Sequence, residues 1–125
     1  MKVYTQAYVR GSNEAAKMYC RAFGAKISFE IKDENGAYAH CELSVNGKGI
    51  LALSEAPDSC DINKKEVWQT MAFNAFEIGC KDAVQRAYDI LSEGGTVLKA
   101  LGPEPWNEFC AYVIDKYGVF WWIAV

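Results

Sequence analysis

A pattern of one strand, one helix and three further strands occurs twice along this chain of 125 residues. Each predicted helix ends at a glycine that precedes a strand, and these two glycines, Gly24 and Gly94, lie 70 residues apart. A unit of that length is too small to hide its own sheet. The repeat therefore predicts an α+β fold in which two βαβββ modules pack into one structure.

The two helices are predicted from apolar residues that recur with the period of an α-helix. The first stripe begins at Ala15, and Ser12 or Asn13 is the expected N-cap. The second helix is predicted to begin at Asp82, with Gln85 completing a capping box. Both stripes are amphipathic, so we expect each helix to cover one face of a sheet.

Most of the remaining chain alternates between apolar and polar residues, which is typical of half-buried strands. The polar stretch at about 55–66 is interpreted as a linker, which places the first module at about 1–54 and the second at about 67–125 of a single domain, 1–125. The strands are predicted at 3–9, 26–32, 37–45, 48–54, 70–78, 96–101, 109–114 and 119–124.

Composition excludes several classes of function. Thirteen Lys and Arg against sixteen Asp and Glu give a net charge of -3, which argues against a nucleic-acid partner. The longest apolar run, Val119–Val125, is too short to cross a membrane, and the N-terminus lacks a signal-peptide pattern. We therefore expect a cytoplasmic protein without a membrane partner. Its five cysteines form no C-x-x-C pair, which favours buried free thiols.

Three segments carry a family resemblance. The helix Ala15–Ala25, the strand residues His40-Cys41-Glu42-Leu43 and the closing segment from Trp106 to Gly118, followed by Trp121, are similar to motifs of the vicinal oxygen chelate superfamily. This superfamily contains glyoxalases, bleomycin-resistance proteins and dioxygenases, and the likeness is greatest to its PhnB-like branch. The resemblance implies that the paired βαβββ modules form a strongly curved mixed sheet around a cleft, usually in a homodimer. The apolar C-terminal strand is expected to support that dimer.

The resemblance also implies four positions at which metal-using members hold a divalent ion. In this sequence they fall at Tyr4, Glu42, Phe73 (or Asn74 after a shift of one residue) and Trp122. One carboxylate cannot supply the roughly three protein donors that a catalytic ion needs. We therefore expect no metal. No glycine-rich loop opens a helix, so no nucleotide-type cofactor is expected either.

If the strands alternate regularly, aromatic side chains replace the metal ligands in the cleft. The sequence then favours a metal-free protein that binds an apolar or aromatic molecule, with a role in resistance by sequestration. One alternative is an enzyme, either metal-dependent or using Glu42 as a general base beside His40; another is that the rings only fill the fold or form an interaction surface. The predicted ligand-binding residues are Tyr4, Gln6, Tyr8, Tyr38, His40, Glu42, Phe73, Trp106, Phe120 and Trp122.

Overall fold

The structure, a computed structural model of the chain, describes residues 1–59 and 69–125. Two helices and eight strands form within these two segments, and the predicted α+β order of two βαβββ modules is confirmed. The elements are β1 (Gln6–Val9), α1 (Ser12–Phe23), β2 (Lys26–Lys32), β3 (Tyr38–Val45), β4 (Lys48–Glu55), β5 (Phe73–Ala75), α2 (Lys81–Ser92), β6 (Thr96–Glu104), β7 (Asn107–Ile114) and β8 (Phe120–Ala124).

The chain divides into two compact units, Met1–Ile62 and Asn63–Val125. The first part of the predicted linker belongs to the first unit, because Glu55 is the last residue of β4. The rest of that linker, from residue 60 onward, lies outside the described residues.

Each unit contains one four-stranded mixed sheet. The structure therefore has two mixed sheets where the sequence analysis expected one. The strand orders are β1-β4-β3-β2 and β5-β8-β7-β6. In both sheets the first strand pairs in parallel with the last strand, and the other neighbours are antiparallel. The two units therefore share one topology, as the repeat predicts.

One face of each sheet packs against the helix of its unit, and we call it the covered face; the opposite one is the far face. In the first unit, the predicted covered-face residues Val9, Cys41 and Leu43 are fully buried. In the second unit, the ammonium of Lys81 on α2 lies 5.5 Å from the ring centre of Phe109. This contact identifies the odd-numbered residues of β7 as its covered face, because side chains alternate along a strand.

Helix α1 is capped from a neighbouring strand, so the prediction of Ser12 or Asn13 as its cap is wrong. The Glu55 carboxylate accepts hydrogen bonds of 2.9 Å from the backbone N–H of Gly11 and from the N–H and hydroxyl of Ser12. Burial alone would raise the pKa of Glu55. The donors of Ser12 and Gly11, together with Arg10, overcome that effect and hold the pKa below its usual value.

Helix α2 also begins differently from the prediction. It starts at Lys81, and its N-cap Cys80 makes no side-chain hydrogen bond to the helix. Gln85 does not form the expected capping box but donates to Asp89 one turn later, at 2.9 Å. Of the four residues expected to point inward, Val84, Ala87 and Leu91 are fully buried and Tyr88 is half-buried.

The described cysteines are free, as predicted, but not all of them are buried. Cys41 and Cys110 are buried and Cys20 is half-buried, whereas Cys80 is exposed. Burial raises the pKa of Cys41 to about 11, which keeps its thiol protonated and inert at neutral pH. Cys60 lies outside the described residues.

No helix within residues 1–59 and 69–125 has the length and hydropathy that a membrane crossing requires.

Candidate functional site

The far face of the first sheet carries polar and apolar side chains in register across all four strands. Gln6, Ala52, Glu42 and Phe29 form one row, from β1 through β4 and β3 to β2. Phe29 was not predicted as a site residue, yet it is 48 % exposed beside Glu42. Phe29 lies on β2, which is exposed along its whole length.

His40 and Glu42, the two catalytic candidates, form a direct pair on this face. His40 Nε2 lies 3.1 Å from Glu42 Oε1, and the side chains are 32 % and 53 % exposed. The ring of Phe29 lies 6.2 Å from the His40 ring. The pair can exchange a proton or hold a polar group of a ligand, in an environment that water reaches from one side.

The other first-unit candidates occupy different environments. Gln6 is half-buried and donates to the Ser54 hydroxyl at 2.7 Å. Tyr8 lies beside Ser54 on the far face and is 57 % exposed. Tyr4 precedes β1, which begins at Gln6 rather than at the predicted Val3, and it is 78 % exposed.

Tyr38 lies on the covered face, so its prediction as a far-face residue is wrong. The register between β2 and β3 shifts between Ile31 and Lys32, and Tyr38 pairs with Lys32 after that shift. Alternation breaks at such a bulge, which reverses the direction of the side chains beyond it. Tyr38 is 5 % exposed, and burial, with a hydrogen bond to Glu30, raises its pKa to about 12.

The far face of the second sheet presents a patch of aromatic rings. Trp122 and Tyr112 are neighbours on β8 and β7, and both are half-buried. The ring of Tyr112 lies 6.2 Å from that of Phe120, which is 5 % exposed and forms the floor of the patch. The ring of Phe76, which is 59 % exposed, lies 6.4 Å from the Trp122 ring at an angle of 39°. We call Phe76, Tyr112, Phe120 and Trp122 the aromatic patch.

Trp122 carries a polar atom without a partner. Its indole Nε1 is buried, and no hydrogen-bond acceptor is within reach in the part of the chain that the structure describes. A buried donor without an acceptor destabilises the folded state, and native proteins contain few of them. Phenylalanine would supply a similar aromatic ring without this unsatisfied donor. The presence of tryptophan at this position therefore calls for an explanation.

Phe73 lies on the covered face, and the alternative shift to Asn74 describes the structure better. Phe73 pairs with Trp121 in register, and their rings meet edge to face at 5.5 Å and 86°. Asn74 pairs with Trp122 and is therefore the β5 residue of the far face. The observed β5 spans only Phe73–Ala75, which is shorter than the predicted strand at 70–78.

Lys99 completes the row of Asn74, Trp122 and Tyr112 on β6, but its ammonium is already engaged. Lys99 Nζ donates to the carbonyl oxygens of Ala100, Gly102 and Cys110 at 3.1 to 3.2 Å. An ammonium has three protons to donate, so these contacts use all of them. Lys99 holds the irregular part of β6 in place and adds no free donor to the aromatic patch.

Trp106 lies in the turn between β6 and β7 and is 63 % exposed. The sequence reasoning missed Phe29, Phe76, Lys99 and Tyr112. The repeat contained a signal for two of them, because Phe29 and Lys99 lie 70 residues apart, as Glu42 and Tyr112 do. Applying that offset to Ala52, Glu42 and Phe29 gives Trp122, Tyr112 and Lys99, three members of the corresponding row of the second unit. The offset fails on the first strand of each unit, because Gln6 corresponds to position 76 and the β5 residue of the row is Asn74.

The donors at the family's metal positions do not fit a divalent ion. Glu42 is the single carboxylate among Tyr4, Glu42, Asn74 and Trp122, and the indole nitrogen of Trp122 carries a proton and cannot act as a ligand. No group of three or more His, Cys, Asp or Glu side chains in residues 1–59 and 69–125 is arranged to hold a metal.

The closing motif of the family resemblance has a structural task here. Asp115 is fully buried, and its Oδ1 accepts hydrogen bonds from the backbone N–H of Tyr117 and Val119. Its Oδ2 accepts the indole N–H of Trp121 at 2.8 Å. The spacing from Asp115 to Gly118 and Trp121 therefore fixes the turn between β7 and β8 and belongs to the fold rather than to a binding site.

Comparisons with solved structures support the same fold. The chain aligns over 99 % of its length with 98 % of a PhnB protein from Bacillus cereus, at 21 % identity and a TM-score of 0.76. It aligns similarly with 96 % of the protein PA1353 from Pseudomonas aeruginosa, at 21 % identity and a TM-score of 0.77. The fosfomycin resistance protein FosX from Listeria monocytogenes, in complex with Mn(II) and sulfate, matches 100 % of this chain and 89 % of its own, at 9 % identity and a TM-score of 0.66.

No curated protein matches the chain by sequence. A family model, however, matches residues 3–123, almost the entire chain. Its description is the Glyoxalase/Bleomycin resistance protein/Dioxygenase superfamily, and this chain belongs to that superfamily.

Proposed function

We propose that this protein binds a small, largely apolar or aromatic molecule without the help of a metal ion, and that the aromatic patch of the second unit is the main contact surface. The observation that carries the proposal is the replacement of a metal-ligand position by Trp122 within this patch. Sequestration of a toxic compound is the physiological role that we propose for such binding.

The exposure of the patch supports this proposal. Tyr112 and Trp122 are half-buried and Phe76 is exposed, above the buried Phe120. Rings that are partly accessible can still bury apolar area against a planar ligand, and each ring-to-ring contact adds about 0.5–1.5 kcal/mol beyond that burial. A patch that only filled the fold would have no accessible rings left.

The charge around the patch supports an uncharged ligand. The Lys99 ammonium is saturated by backbone carbonyls. No arginine occurs in the segment after Trp106, where relatives of the PhnB-like branch carry one, so the bidentate grip that an anionic group prefers is missing there.

Intrinsic tryptophan fluorescence tests the proposal directly. Titration of the metal-free protein with a panel of neutral aromatic compounds should quench or shift the emission in a saturable manner. Trp122→Phe should reduce the amplitude of the fluorescence change, and Tyr112→Ala should weaken binding about tenfold. Tyr88→Phe on α2, outside the aromatic patch, serves as the control and should bind like the wild type. Binding that required an added divalent ion would contradict the proposal.

An enzymatic function is the second candidate, and the contact between His40 and Glu42 favours it. A histidine and a carboxylate at 3.1 Å can act together as a proton acceptor. If Glu42 is a general base, Glu42→Gln should abolish turnover while leaving ligand binding at the aromatic patch intact. Equal loss of both would indicate that the variant disturbs the fold instead.

A further inference from the structure

The unpartnered indole nitrogen of Trp122 points to a specific property of the ligand. We propose that the ligand carries an uncharged hydrogen-bond acceptor next to its apolar ring, such as a carbonyl oxygen, and that Trp122 Nε1 donates to it. This inference rests on the proposed function and specifies the ligand class.

The chemistry of the surrounding row favours this role. Within the row of Asn74, Trp122, Tyr112 and Lys99, the ammonium of Lys99 donates to three carbonyls and is occupied. Trp122 Nε1, by contrast, has a proton and no acceptor among the described residues. An indole can only donate, so its partner must be an acceptor.

The location of this nitrogen makes the bond selective. Nε1 is closed to solvent in the free protein, although other atoms of the half-buried Trp122 ring are accessible. A ligand therefore reaches it by displacing a neighbouring side chain. The ring of Phe76 is 59 % exposed and sits on the loop after β5, so it can move aside with little loss of buried area.

A dry environment increases the discrimination that this bond provides. In a site closed to water, the donor gains its full hydrogen bond from a matching ligand and none from an analogue that lacks the acceptor. An apolar ligand without an acceptor would leave the nitrogen as it is in the free protein. The structure thus assigns ring recognition to the aromatic patch and acceptor recognition to the indole N–H of Trp122 within it.

The test uses two bicyclic probes that differ by one carbonyl, 1-indanone and indane, with wild type and Trp122→Phe. Phenylalanine keeps an aromatic ring at the position but removes the donor. The substitution should weaken 1-indanone binding about tenfold and change indane binding less than about twofold. For each probe, the Kd of Trp122→Phe is divided by the Kd of the wild type. Comparing these two ratios removes the effect of the smaller ring, because that effect is common to both probes.

Nuclear magnetic resonance gives an independent readout. The indole N–H signal of Trp122 is identified as the one that disappears in Trp122→Phe, and it should move downfield on addition of 1-indanone but not of indane. If both probes bind and the substitution affects them equally, the acceptor inference is wrong while the proposed binding function stands. If neither probe binds the wild type, the binding function for this class of ligand fails, and the inference fails with it.

Discussion

Trp121 and Trp122 are adjacent in sequence and have opposite environments, because successive residues of a strand point to opposite faces. Trp121 packs its ring against Phe73 and donates its N–H to Asp115. Trp122 faces away from the helix and has a donor without an acceptor. The same residue type therefore stabilises the fold at one position and is a candidate ligand contact at the next.

This contrast predicts unequal effects of two matched substitutions on the free energy of unfolding. Trp121→Phe removes the N–H that Asp115 Oδ2 accepts in a buried site, and it should destabilise the protein by about 1–3 kcal/mol. Trp122→Phe removes an unsatisfied donor and should cost less than about 1 kcal/mol. Urea unfolding followed by circular dichroism measures both, and an equal loss would contradict the assignment of roles.

The direction of individual side chains was predictable only where strands are regular. Cys41 and Leu43 lie on the covered face, as alternation predicts. Tyr38 does not follow the prediction, because a register shift precedes it, and no residue type in the sequence marks that shift. Phe73 was assigned wrongly because the strand is three residues long, too short for alternation to fix its phase.

At the scale of elements, the start of α1 depends on a contact with β4. Glu55 supplies the acceptors that the first turn of the helix lacks. Sequence patterns place helix caps within a few residues of the helix, so a cap from 43 residues away could not be found by them. By contrast, local periodicity alone predicted the helix itself and its C-terminal cap, Gly24.

This cap predicts a pH dependence. The folded pKa of Glu55 lies below its ordinary value of 4.5, so its contribution to stability is complete above about that pH. The contribution is lost as the pH falls through the folded pKa, because the protonated carboxyl no longer accepts as strongly. Glu55→Gln should cost about 1 kcal/mol at neutral pH, and this difference should shrink in acid.

Thermal unfolding of wild type and Glu55→Gln at a series of pH values from neutral to acid measures that difference. Lys17→Met serves as the control, since the Lys17 pair with Glu14 is exposed and should contribute little. A difference between wild type and Glu55→Gln that grows in acid would contradict the proposed cap.

The junction between α2 and β6 depends on one glycine. A Cβ at Gly95 would clash with the carbonyl oxygen of Ile114 and lie 2.9 Å from Asp115 Cα, both backbone atoms. Gly95→Ala should therefore destabilise the protein by about 1–3 kcal/mol. Gly49→Ala on β4 is the matched control, because a Cβ there meets nothing within 4 Å. Similar melting temperatures for the two variants would show that the backbone at this junction accommodates a Cβ without loss of stability.

At the scale of the whole molecule, the repeat made the topology predictable. Two modules with the same element order gave two sheets with the same strand order. The convergence of the first-unit row and the aromatic patch on one ligand stays a prediction, since each was derived within its own unit. The sequence could not identify the ligand, because the far faces carry a mixture of aromatic and polar side chains that matches no known ligand-binding motif.

We further propose that the protein is a homodimer, as the family resemblance implies. The C-terminal strand β8 cannot provide an edge for it, because β8 lies between β5 and β7. The exposed edge strand β2 is a better candidate, with Phe29 48 % and Ile31 54 % exposed. Sedimentation should give a dimer for wild type and a monomer for Phe29→Lys with Ile31→Lys, whereas the charge change Arg86→Glu on α2 should leave the dimer intact.

Each sheet inserts its last strand in chain order between two earlier ones, β4 between β1 and β3, and β8 between β5 and β7. On the ribosome, three strands of a unit thus emerge before the one that joins them. During that interval the backbone groups awaiting the fourth strand are open to pairing with a neighbouring nascent chain. Chaperone capture at this point of translation would therefore protect each unit until its closing strand arrives.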